Sequence, residues 1–133
     1  EQTGMVVDFG FLKEEMMKHI DEPCDHGLIL SIQDEEVLEM FAPENQKFSD
    51  WLIAKLNEII QQGFCATVDT KLGMKLYLSD FQPTAESLAH HWFSRLSAPV
   101  RSRSGQMARL LKIKVWETPN CCYAWAIYCF LSR

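Results

Sequence analysis

The chain has 133 residues, 47% of them hydrophobic, and 13 Lys and Arg stand against 18 Asp and Glu for a formal net charge of −5. That length fits one domain, and that apolar fraction excludes intrinsic disorder. The acidic balance excludes general nucleic-acid binding, which needs a basic footprint, and no apolar run approaches the ~20 residues that cross a bilayer.

Five cysteines (Cys24, Cys65, Cys121, Cys122 and Cys129) form an odd set without CxxC spacing. That pattern fits neither a disulfide framework nor a closed zinc finger. The first residues do not read as a signal peptide, so a reducing, cytoplasmic setting is expected. Basic residues gather at Arg101, Arg103, Arg109, Lys112 and Lys114. They are either a solvated face or an attraction for an anionic, phosphorylated small molecule.

Along the chain, Gly4-Met5-Val6-Val7 reads as the end of a strand, and Asp8 as the N-cap of a helix. Phe9, Leu12, Met16 and Ile20 then recur at helical steps, and Pro23 is expected to stop the helix. Leu28-Ile29-Leu30 reads as a short strand, and Glu35–Met40 as a helical turn. A second helix is predicted from about Ser49 to Gln62, with Leu52, Leu56, Ile59 and Ile60 inward and Gly63 as its stop. Met74, Leu76 and Leu78 alternate with Lys75, Tyr77 and Ser79 in a strand.

A third helix is predicted from about Pro83, with an apolar face of Ala85, Leu88, Ala89, Trp92 and Leu96. Ser97 to Gln106 lacks periodicity and reads as a mobile loop. Leu111, Ile113 and Val115 alternate with Lys112, Lys114 and Trp116 in a strand ending at Glu117. Pro119-Asn120 then turns the chain into a last strand from Cys122 to about Phe130. Helices alternating with strands, two of them in a hairpin, predict an α+β fold with helices on one face of a sheet.

Glu117 is the most informative side chain, because the alternation puts it on the apolar face. A carboxylate there either escapes to water at the strand end or grips the N–H groups of a planar, pterin-like heterocycle. Asp25-His26 is the second feature: a carboxylate beside an imidazole fixes its tautomer and prepares a general base, although a surface turn explains the dipeptide too. His90 and His91 are helix neighbours about 100° apart, which does not suit one metal ion. Cys121 and Cys122 face opposite ways in a strand, and Cys24 reads as a structural thiol. Walker, GxGxxG and HExxH motifs are absent from the sequence.

Four segments in order resemble the 6-pyruvoyl-tetrahydropterin synthase / 6-carboxytetrahydropterin synthase family. They are Gly4-Met5-Val6-Val7-Asp8-Phe9, Asp25-His26, Pro83-Thr84-Ala85-Glu86 and Val115-Trp116-Glu117-Thr118. The resemblance implies a tunnelling fold, an antiparallel sheet with helices packed on one face, assembled as a homo-oligomer and commonly a hexamer. It implies a zinc-dependent lyase acting on 7,8-dihydroneopterin triphosphate. The product is 6-carboxytetrahydropterin for queuosine and related deazapurines, or 6-pyruvoyl-tetrahydropterin. Asp25 and His26 become the proton-transfer pair, Glu117 the anchor of the pterin ring, and Thr84 and Ala85 the lining of its pocket.

The family's zinc histidines and catalytic cysteine belong to a segment before the equivalent of Gly4, and none of His19, His90 or His91 matches a ligand position. The expectation is therefore a single domain over 1–133 without the family's N-terminal hairpin, with a longer middle segment at about 31–79. The alternative is a non-catalytic remnant of the fold that binds pterin or serves assembly.

Overall fold

A computed structural model describes residues 10–118, 121–123 and 128–131, with side chains from 10 to 115. The predicted strand at Gly4–Val7, the Asp8 cap and the Pro119-Asn120 turn lie outside the described residues. The fold mixes helix and sheet, as an α+β fold should. Two compact units make up the chain: Glu22–Pro83, and the flanking residues 1–21 with 84–133.

The Glu22–Pro83 unit begins with α2 (Glu22–Cys24) and continues through β1 (Leu28–Ser31), α3 (Glu35–Phe41), α4 (Phe48–Gln62), β2 (Cys65–Thr67) and β3 (Leu76–Ser79). Its sheet has the order β1-β3-β2. β3 runs parallel to β1, with Leu28 opposite Leu76, and antiparallel to β2, with Cys65 opposite Leu78. The sheet is thus mixed rather than purely antiparallel. The helices between β1 and β2 provide the long crossover that a parallel pair requires.

As the central strand, β3 is buried at all four residues, so the expected alternation of buried and exposed positions is lost. Leu76 and Leu78 enter a core with Leu38, Trp51, Ile59 and Cys65. Tyr77, on the other face, stacks on Phe64 with ring centroids 5.1 Å apart.

Trp51 sets the rotation of α4. Its indole N–H donates to the Asp69 carbonyl at 2.7 Å, and the Lys55 amine reaches the Asp69 carboxylate at 3.1 Å. Trp51, Lys55 and Ile59 therefore form the inward stripe, the lysine burying its stem and keeping its charge paired. Leu56 and Ile60, expected inward, are exposed at 40% and 73%. Gly63 ends the helix in the left-handed region (φ 87), as its position predicts.

The flanking unit contains α1 (Gly10–Met16), a π-helical stretch (Met17–Asp21), α5 (Ala85–Arg103), β4 (Ala108–Lys112), β5 (Val115–Thr118), β6 (Cys121–Tyr123) and β7 (Tyr128–Leu131). α5 buries the predicted face, Ala85, Leu88, Ala89, Trp92 and Leu96, and adds Val100. It continues through Pro99 to Arg103, so most of the expected loop is helix. Val100 extends the buried stripe into the last turn, and that packing offsets the cost of an interior proline. The first helical region ends at Cys24, one residue past Pro23, close to the expected stop. Pro23 lies within α2, directly after the wider π-helical turn.

The predicted strand from Leu111 to Glu117 is two strands. β4 pairs with β7 and β5 with β6, each antiparallel, and Ile113-Lys114 lies between them. A bulge between Leu110 and Lys112 shifts the alternation by one residue. Ala108 and Leu110 are buried, while Leu111 is 42% exposed.

On α1 the buried positions are Phe11 and Glu15, one residue behind the predicted face; Leu12, Met16 and Ile20 are half-buried. Charge explains the rotation. Arg103 donates to Glu15 at 2.9 Å and to Glu14 at 2.7 Å, and its guanidinium lies 5.7 Å from the Phe11 ring centre. His19 Nε2 stands 3.2 Å from the other Glu15 oxygen.

Burial lowers the His19 pKa from its ordinary 6.5, nearby Arg95 lowers it further, and Glu15 only partly opposes them. For Glu15 burial acts upward, but the Arg103 hydrogen bond and the charges of His19, Arg103 and Lys18 outweigh it and bring it below 4.5. Both groups bind protons more weakly when folded than unfolded, so both favour folding at neutral pH and lose that contribution on acidification. His19's share fades as pH falls from about 6.5 through its lowered pKa, and Glu15's as pH falls below about 4.5. Urea unfolding of His19→Gln at a series of pH values should show a shallower loss of stability below about pH 6.5 than the unsubstituted protein.

Candidate functional site

The Asp25-His26 pair occupies the turn from α2 into β1. The Gly27 N–H donates to the Cys24 carbonyl at 2.9 Å and closes the turn. His26 takes a left-handed backbone (φ 58), uncommon for a residue with a side chain and concentrated at functional sites. Its Nε2 lies 3.7 Å from an Asp25 carboxylate oxygen, close enough for attraction and longer than a hydrogen bond. Both side chains face solvent, at 92% exposure for His26 and 68% for Asp25. The pair is therefore accessible, with a carboxylate and an imidazole side by side.

Gly27 and Lys75 hold this turn, and neither stood out in the sequence. A Cβ at Gly27 would lie 2.9 Å from the Lys75 carbonyl oxygen, so the approach requires glycine. A glycine between an Asp-His pair and a strand was a signal for such an approach. Lys75, distant in the chain, carried none. Cys24, beside the turn, is half-buried.

The other predicted residues lie in the flanking unit. Thr84 is the N-cap of α5. Its hydroxyl accepts the Ser87 N–H at 3.1 Å, and the Ser87 hydroxyl accepts the Thr84 N–H at 2.9 Å. That reciprocal capping box starts the helix at Ala85, two residues after Pro83. Ala85 follows it, buried at 4% exposure.

Glu117 lies in β5, within the register shift between Trp116 and Thr118 that pairs Thr118 with Cys121. Because β4 and β5 are separate strands, alternation counted from Leu111 does not determine its face. The structure thus brings Asp25 to His26, and Thr84 to Ala85, in separate units.

The basic cluster is partly neutralised. Arg103 is bound by Glu14 and Glu15, and Arg101 donates to the Gln106 side chain at 3.0 Å. Arg109 and Lys112 are exposed on β4. Cys65 is fully buried, and burial together with Glu58 pushes its thiol up to about 12, so it stays protonated and structural. His90 is exposed and His91 half-buried on α5. Among the described residues no three His, Cys, Asp or Glu side chains gather as metal ligands. These side chains do not fit the zinc that the resemblance implies. No described helix is long and apolar enough to cross a membrane.

A family model described as 6-pyruvoyl tetrahydropterin synthase matches residues 1–126. The chain belongs to this family. Curated relatives of this family member include proteins from Rickettsia bellii, Rickettsia felis and Rickettsia conorii, each named 6-carboxy-5,6,7,8-tetrahydropterin synthase. They are 30%, 29% and 28% identical to it over 121 residues, which is 91% of this chain and 67% of each relative. No solved structure matches it at comparable significance.

The Thr84 cap gives a direct test of its structural share. Thr84→Ala should lower stability by about 1 kcal/mol in chemical denaturation, and Thr84→Ser should retain most of it.

Proposed function

We propose that this chain is a lyase that converts 7,8-dihydroneopterin triphosphate to 6-carboxytetrahydropterin, the product named for its relatives, within the tunnelling fold and homo-oligomeric assembly of its family. The observation that carries the reading is the accessible Asp25-His26 pair on a left-handed turn, in a chain that belongs to a pterin synthase family.

His26 acts as the base that takes a proton from the substrate's side chain. Asp25, 3.7 Å from the ring nitrogen, stabilises the imidazolium by charge attraction once the proton is taken. Glu117 accepts hydrogen bonds from the N–H groups of the pterin ring, a planar bidentate match for a carboxylate. Thr84 and Ala85 line the ring's pocket, where the cap holds the backbone of the α5 start rigid.

Two substitutions separate these roles. His26→Ala should lower kcat by about 10²–10⁴-fold without unfolding the protein, as loss of a general base does. Glu117→Ala should weaken pterin binding by about 1.5–3 kcal/mol, the worth of hydrogen bonds to a charged group, and show chiefly in KM. Wild-type kinetics in both variants would remove the assignment.

A further inference from the structure

We propose that Lys75 is a positioning residue for the Asp25-His26 pair, so that the long middle segment serves the site by carrying the residue that holds its turn. The inference rests on the reading of Asp25-His26 as the proton-transfer pair.

Lys75 grips both ends of the turn. Its amine donates to the Glu22 carbonyl at 2.8 Å, 53 residues back in the chain, and its own carbonyl accepts the Leu28 N–H at 3.0 Å. The five residues between those contacts include the pair. Gly27 lies against the same lysine, and an added Cβ would meet its carbonyl oxygen at 2.9 Å, its Cγ at 3.1 Å and its Cβ at 3.2 Å. Directly after Lys75, Leu76 enters register with Leu28, and the parallel β1–β3 ladder extends the hold to Ser31 and Ser79.

The pair needs such support from its backbone. The Asp25 and His26 side chains are largely exposed, so little side-chain packing orients them. His26 also keeps a left-handed φ of 58, which a residue with a side chain retains where its surroundings over-determine it. General-base catalysis depends on placement at the scale of a hydrogen bond. A turn tied at residues 22 and 28 to one lysine on the lip of a buried strand provides that placement.

Steady-state kinetics on the full chain test this, with thermal unfolding measured in parallel. Lys75→Met should lower kcat by about 10- to 100-fold, the scale of a misplaced catalytic group, while KM stays within about twofold. Its melting temperature should change little, because the lost hydrogen bond lies at the surface. Lys75→Arg, which also donates, should recover most of kcat. In the His26→Ala background, Lys75→Met should cause no further loss, since it acts through the histidine.

Wild-type kcat in Lys75→Met, or an undiminished loss in the His26→Ala background, would overturn the inference. If Lys75→Met does not fold, Gly27→Ala disturbs the other end of the grip, at the Lys75 carbonyl oxygen: a kcat-selective loss supports the inference and wild-type kcat overturns it. Wild-type turnover in His26→Ala alone would remove the reading of the pair, and this inference with it. That failure is distinct because it appears with Lys75 intact.

Discussion

A close approach of two backbones organises the turn that bears Asp25 and His26. At Gly27 the chain leaving α2 comes so near Lys75 that a Cβ would lie 2.9 Å from its carbonyl oxygen. That contact lets the Leu28 N–H reach the same carbonyl and starts the parallel pairing of β1 with β3. The ladder places β3 centrally, where all four of its residues are buried. The hydrophobic core anchors the strand, the strand anchors Lys75, and Lys75 anchors the turn bearing Asp25 and His26.

Much of this was legible in the sequence wherever one physical effect dominated. The inward face of α5 followed from apolar spacing alone, and Gly63 marked the end of α4 because a left-handed C-cap favours glycine. Expectations failed where a polar contact or a bulge competed with hydrophobic periodicity. Arg103 drew Glu15 inward and rotated α1 by a residue, and Asp69 held Trp51 and Lys55 and turned Leu56 and Ile60 outward. Such partners lie far apart in sequence, so local pattern does not contain them. Pro99 failed as a breaker because Val100 continues the buried stripe beyond it.

The candidate site was legible as chemistry more than as geometry. Asp25 and His26 were found as neighbours in sequence, whereas the left-handed φ of His26 and the grip of Lys75 emerge only in three dimensions. Thr84 is a helix cap, a role its spacing from Ser87 fixes locally. Glu117 was singled out by counting along one long strand, yet two strands and two bulges lie along that stretch. The register shift between Trp116 and Thr118 removes that count as a guide to its face.

Incubation of the purified full-length protein with 7,8-dihydroneopterin triphosphate, followed by mass spectrometry of the pterin products, bears most directly on the lyase reading. Formation of 6-carboxytetrahydropterin in proportion to enzyme and time is the expected result. Quantitative recovery of the unaltered substrate would contradict it.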